Sequence, residues 1–297
     1  MELALALLLS TLRQTTPLLL TALGGMFAER SGVVNIALEG ILLFGALAAA
    51  VTVERLEALL GPSPWLPWAG VWAGMVAGGL TAFIHAVASI RYRADQIVSG
   101  IALNLLALGV PSLVLSALYG NATSSKEVQS RLPQFFDLSI LVYLAFLLVP
   151  FTWWALFKTP WGLRLRAVGE HPLAADTLGV NVYRMRYGAV VLSGVFAGLA
   201  GAYLSIGFLN QFVRGMSAGM GFIALAAMIF GQWHPVGILF STLLFGFASA
   251  LAIQLQGTEV FPAVLVQALP YGITILVLAG FMGKSRPPGA VGRPYEK

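Results

Sequence analysis

The sequence predicts an all-α polytopic membrane protein of about nine (eight to ten) spanning helices, some of them discontinuous, in a single domain over residues 1–297. Three observations lead there. The chain is 58% hydrophobic and only 10% charged, with mean hydropathy +0.86, whereas a soluble domain carries about 25% charged residues. Runs without Asp, Glu, Lys or Arg cover 58–90, 96–125, 138–157, 187–213, 215–258 and 260–283, and about 20 apolar residues cross a bilayer as one helix. These runs do not alternate as the strands of a membrane barrel would.

Taken in order, residues 3–12 read as a short interfacial helix. Spans follow at 14–28, 32–53, 66–90, 96–119, 138–157, 187–208, 217–231, 236–254 and 262–282. The block 215–258 is divided by Gln232-Trp233-His234-Pro235. No cleavable leader is expected, because Met1-Glu2 lacks a basic start. Lys and Arg bias sets orientation. Basic stretches at 91–95, in the 158–186 loop and in the 283–297 tail fall on one side, predicted to be the cytoplasm. Parity then puts the N-terminus outside. Gly70, Gly74 and Gly78, and Gly194 with Gly198, are spaced for close helix approach; intramolecular packing and a subunit interface are both open.

Polar residues at membrane depth usually face a cavity or a partner. Asn35 and Glu39 share a helix face, and Gly24, Gly25, Gly32 and Gly40 around them predict an interrupted helix. Such a break must line protein or water. The functional reading is a substrate path through Asn35, Glu39, Gln96, Ser99 and Asn104. The competing reading is structural bonds between helices. Asp95 can cap the helix at 96. Gln254, Gln256 and Gln267 are weaker path candidates; His85 reads as a packed core residue and His234 as a loop residue.

Several chemistries are excluded. There is no cysteine, so thiolate metal sites and disulfides cannot form. His85, His171 and His234 are scattered, and no metal or cofactor site is expected. The net charge of +5 follows from loop arginines and is no nucleic-acid signal. Gly283-Lys284-Ser285 mimics the end of a phosphate-binding loop, but Leu278 stands where that motif needs glycine. No catalytic constellation is visible, so the chain is not expected to be an enzyme. Any ATP-driven work must come from another chain.

The 158–186 loop is a polar island. Thr159-Pro160-Trp161-Gly162 is expected to end the preceding span, and the next stretch puts Arg164 and Arg166 on one side. After Glu170 and His171, Pro172 suits a first helical turn, with Ala174, Ala175 and Asp176 in the body and Gly179 as the C-terminal cap. Two turns are too few to be stable alone. A docked soluble partner would supply support; an ordinary basic loop on anionic lipid is the alternative.

GGMFAERSGVVNIALEG at 24–40, ADQIVSGIALNLL at 94–106, TPWGLRLRAVGEHPLAADTLGVNV at 159–182 and GMGFIALAAMIFGQWHPVG at 219–237 resemble the permease subunits of bacterial ABC importers of the branched-chain amino acid, ribose and nucleoside type. The first stretch looks closest to the nucleoside branch. The resemblance implies a multi-pass plasma-membrane permease with a cytoplasmic C-terminus, moving a small solute by alternating access. It makes Pro172–Gly179 a coupling helix for cytoplasmic ABC ATPase subunits, with Arg164, Arg166, Glu170, His171, Pro172, Ala174, Ala175, Asp176 and Gly179 as the coupling residues. Further implied partners are a second, non-identical permease chain and an extracytoplasmic substrate-binding lipoprotein, which would meet the outer loops near 120–138 and 209–217. Leu173 stands where the family usually has Glu, and His171 where it has Asn. A sugar or branched-chain amino acid permease is the near alternative; an ion-coupled secondary transporter, using Glu39 and Asp95, is the distant one.

Overall fold

A computed structural model describes residues 2–256, 272 and 286–296. The first helix, α1 (Glu2–Arg30), is continuous, so no separate interfacial helix stands at 3–12. Two satisfied ends of Arg13 allow this. Its guanidinium donates to the Asp137 carbonyl at 2.6 Å. Its own carbonyl loses a helical donor because Pro17 has no N–H, and the Tyr203 hydroxyl replaces that donor at 3.2 Å.

The chain then runs through α2 (Leu38–Leu60), α3 (Leu66–Ala86) and α4 (Gln96–Tyr119). A two-residue hairpin, β1 (Gln134–Phe135) and β2 (Leu138–Ser139), precedes α5 (Ile140–Phe157). Two short helices, α6 (Pro160–Glu170) and α7 (Pro172–Thr177), lead into α8 (Val182–Ala202). Then come α9 (Met220–Phe230) and α10 (Pro235–Leu255). π-helical turns extend α3 through Val87–Arg91 and α8 through Tyr203–Phe208.

Five helical segments among the described residues are long and apolar enough to cross a membrane: Leu66–Arg91, Gln96–Tyr119, Ile140–Phe157, Val182–Phe208 and Pro235–Leu255. Three of the predicted spans within the described residues are not among these five: the one at 14–28, which lies inside the longer α1, and those at 32–53 and 217–231. The one at 32–53 enters as non-helical chain and becomes helical only at Leu38. The one at 217–231 is an 11-residue helix, about 16 Å long at 1.5 Å per residue, against a hydrocarbon core of about 30 Å. Gly219, at φ +84°, starts that helix late. The span expected at 262–282 lies outside the described residues.

The glycine stripes resolve into packing within the chain. α3 lies against α8 so closely that a Cβ on Gly78 would strike the Gly194 carbonyl, and one on Gly198 the Gly74 carbonyl. α2 joins them, with Gly45 facing Gly198. Gly78→Val is expected to lower the thermal midpoint in detergent sharply, since overpacking costs about 1–3 kcal/mol or more. Gly109→Val, where a Cβ meets nothing within 4 Å, should leave it nearly unchanged. Equal midpoints for the two would contradict the packing.

The three basic stretches meet at one end of the molecule. Arg93 pairs with Glu296 at 2.8 Å, and the Gly289 N–H donates to Glu170 at 3.0 Å. At the opposite end the loops near 120–138 and 209–217 are stitched together. Ser125 N–H donates to the Phe212 carbonyl at 2.9 Å, and Arg214 N–H to that of Thr123 at 2.8 Å.

Candidate functional site: a broken membrane segment and a basic end face

Between α1 and α2, residues 31–37 cross the interior without helical hydrogen bonds, yet Ser31, Val33, Asn35 and Ala37 are buried. Bare backbone there must be paired; the N–H groups of Ser31, Gly32 and Val33 turn back to the Ala28 and Glu29 carbonyls, and beyond them polar side chains of α3 and α4 take over. Gln96 accepts from the Val34 N–H at 2.7 Å. His85 Nε2 lies 2.9 Å from the Val34 carbonyl, and its Nδ1 lies 3.0 Å from Ser99 Oγ. Asn104 donates to the Ile36 carbonyl at 2.9 Å and accepts from the Gly40 N–H at 2.8 Å, which satisfies the first turn of α2. Asn35 donates to Ser193 Oγ at 3.0 Å, while its Oδ1 is buried without a hydrogen-bond partner among the described residues.

Glu39 is the second residue of α2 and serves another helix. It accepts from Ser217 Oγ at 2.5 Å, Gly219 N–H at 2.9 Å and Gly221 N–H at 2.6 Å, so it closes the open start of α9. Gly221 must be glycine, because a Cβ would lie 2.5 Å from the Glu39 backbone. The two helices run away from this point in opposite directions. α9 heads for the end of α1, where Met228 lies by Gly25 and Trp233 donates to Glu29 at 2.6 Å. α2 heads for the far loops, where Glu54 accepts from Tyr119 at 2.9 Å.

All five predicted path residues therefore lie at this break: Asn35, Gln96, Ser99 and Asn104 around the 31–37 segment, Glu39 at its inner end. Asp95 caps α4 through bonds to the Ile97 and Val98 N–H groups, both 2.9 Å. His85 is buried in the core of the break. Gln254 and Gln256 fall near the end of α10, and Gln267 lies outside the described residues.

At the basic end, Thr159-Pro160-Trp161-Gly162 begins a helix instead of ending a span. Thr159 accepts from the Gly162 N–H at 3.1 Å and Pro160 takes the first position, a strong starting pair. Helical geometry separates Arg164 and Arg166. Arg164 is exposed, while Arg166 folds over Phe157 at 4.7 Å and donates to the Leu156 carbonyl at 3.1 Å. The expectation that both arginines share one side fails for that reason.

The predicted helix after Pro172 is present as α7, ended by Gly179 at φ +80°. Its inner face is a small apolar core of Ala175, Val168, Val182 and Tyr295. Its outer face exposes His171, Leu173, Ala174 and, beyond the end, Leu178 at 84%. Burial, and then the Asp176 carboxylate, push the Tyr295 phenol above its ordinary range. A cleft of about 540 Å³ between α7 and the tail is lined by Glu170, His171, Leu173, Arg293 and Tyr295.

Sequence reasoning missed Glu29, Ser193, Ser217 and Arg186. Arg186 counted as a loop cation, but it is 2% exposed in α8. The signal was available: Val182, Arg186, Ala189 and Ser193 follow the buried helical stripe.

Comparisons with known proteins agree in one direction. The model of the family described as "Branched-chain amino acid transport system / permease component" matches residues 7–278. The chain is 45% identical to the guanosine ABC transporter permease protein NupQ of Bacillus subtilis (strain 168), covering 97% of this chain and 95% of that one. It is 41% identical to the nucleoside ABC transporter permease protein NupC of Lactococcus lactis subsp. cremoris (strain MG1363), over 95% and 94%. It is 38% identical to the putative glucose ABC transporter permease protein TsgC13 of Haloferax volcanii, over 86% and 79%.

Proposed function

Because the chain belongs to the family of branched-chain amino acid transport system permease components, we propose that it is the membrane permease subunit of an ABC importer for nucleosides. It is a transport subunit and not an enzyme. The observation that carries the substrate class is near full-length likeness to guanosine and nucleoside permeases at 45% and 41% identity. A separate ATPase supplies the energy, and an external binding protein delivers solute to the stitched loops near 120–138 and 209–217. A second, non-identical permease chain completes the membrane unit. The single membrane domain 1–297 lies in a bacterial plasma membrane with the basic end, including the tail, in the cytoplasm.

α7 is the coupling helix on this reading. Its exposed Leu173, Ala174 and Leu178 form the contact, and its buried Ala175 and the Gly179 turn set its angle. His171 and Leu173, the two departures from the family pattern, both sit on the exposed side. Arg164 and Glu170 flank the contact, and Arg166 and Asp176 support it from within.

The substrate path runs along the break through Asn35, Glu39, Gln96, Ser99 and Asn104. Support comes from the free Asn35 Oδ1, a buried acceptor suited to a nucleoside hydroxyl or amino group. The others are committed to partners within the chain, Gln96, Asn104 and Glu39 to backbone groups and Ser99 to His85, and shape the wall.

The test is uptake by the complete complex in proteoliposomes with its ATPase and binding protein. Guanosine or adenosine is expected to accumulate in an ATP-dependent manner. Exclusive uptake of ribose, glucose or leucine overturns the substrate class, and uptake driven by an ion gradient without ATPase overturns the mechanism.

A further inference from the structure

We propose that the tail segment 289–296 and Arg186 form a tether that passes the position of α7 to the break at 31–37. This deepens the coupling reading above and rests on it.

The tether has three attachments. On the loop side, the Ala290 N–H donates to the Gly169 carbonyl at 2.8 Å, the Gly289 N–H to Glu170 at 3.0 Å, and Tyr295 is buried beneath Ala175 of α7. On the break side, the Gly292 N–H donates to the Gly32 carbonyl at 3.2 Å. Arg186 spans both sides: Nη1 donates to the Arg293 carbonyl at 3.0 Å and Nε to the Ser31 carbonyl at 3.2 Å. The third attachment is the ion pair of Glu296 with Arg93, just before α4.

The fit is tight where the break begins. Gly32 has φ +91°, and a Cβ there would lie 2.8 Å from Arg186 Nη2 and 3.1 Å from the Ala290 carbonyl. A shift of the tail toward Gly32 therefore meets no free space, and one away from it must break the Gly292 bond. The route is continuous: Ala175 to Tyr295, along the tail to the Arg293 carbonyl, through Arg186 to Ser31. The guanidinium fork reaches two carbonyls at once, which a lysine ammonium on a flexible stem does not reproduce. A buried cation shared between two backbone carbonyls is a costly way to fill space. It is an effective way to hold two segments in register.

Arg186 is thus a positioning residue for transport, acting through the 31–37 segment. The test uses the full complex in proteoliposomes with Arg186→Lys and, separately, a chain ending at Pro288. Both are expected to assemble with the ATPase and hydrolyse ATP within about twofold of normal, while solute moved per ATP falls about tenfold. Amide exchange at 31–37 should respond to ATP in the normal complex and not in the shortened one. Unchanged solute per ATP in both variants, or an unchanged exchange response, overturns the tether. If Arg186→Lys does not assemble, the shortened chain decides, since every described spanning helix keeps its sequence. Ala174→Arg, run in parallel, separates the two ideas. Normal coupling in Ala174→Arg removes the coupling reading itself; loss of coupling there with normal tether variants removes the tether alone.

Discussion

Glu39→Leu is expected to lower unfolding stability by about 2–6 kcal/mol, because it strands the Gly219 and Gly221 N–H groups, each about 1–3 kcal/mol when buried and unpaired. In hydrocarbon no water can replace the lost acceptor. Ser217 can turn its hydroxyl elsewhere and is left out of that sum. Glu39→Gln keeps one acceptor oxygen, and should lose about half as much. Thermal unfolding in detergent, followed by helical circular dichroism, measures both. Equal midpoints for Glu39→Leu and the unaltered protein would mean that the start of α9 is held by something else. Transport should fall in step with the loss of α9, since Glu39 fixes the end of the 209–219 approach that leads into that helix.

Ala174→Arg is expected to abolish ATP-driven uptake while the chain still inserts and folds. Ala174 is exposed on the outer face of α7, so a long charged side chain there meets only a docked partner. Blocking a central interface position costs about 2 kcal/mol or more, a loss of affinity of about 30-fold. Ala175→Arg is a poorer probe. Ala175 is 3% exposed, and its replacement would break the small core with Val168 and Val182 before any partner is involved. Co-purification of the ATPase and uptake in proteoliposomes are the measurements. Normal co-purification with normal uptake would remove α7 from the coupling role.

Apolar run length made most of the helices legible, because hydropathy reports residence in lipid directly. The break was legible too: glycines at 24, 25, 32 and 40 around Asn35 and Glu39 announced it. What the sequence concealed was which partner each polar residue chooses. Asn104 and Gln96 read as cavity residues, yet they bond the backbone of a segment more than 60 positions away. Nothing local records such a pairing. Arg186 was hidden by counting charge along the chain, which ignores helical register. The start of α6 was hidden by reading Pro160 as a terminator, when Thr159 before it makes it an initiator. The short α9 was hidden because hydropathy cannot tell a half-helix from a span with an extended approach.

The meeting of α2 and α9 at Glu39 also has an electrostatic consequence. Each helix start carries the equivalent of about half a positive charge from its aligned peptide dipoles. Two such ends converge here from opposite directions, and the Glu39 carboxyl group sits between them, accepting from the start of α9. N–H groups at both starts are taken up by side chains, Glu39 for α9 and Asn104 for α2. On the proposed reading of the break as a substrate path, that meeting point suits an uncharged, hydrogen-bonding solute.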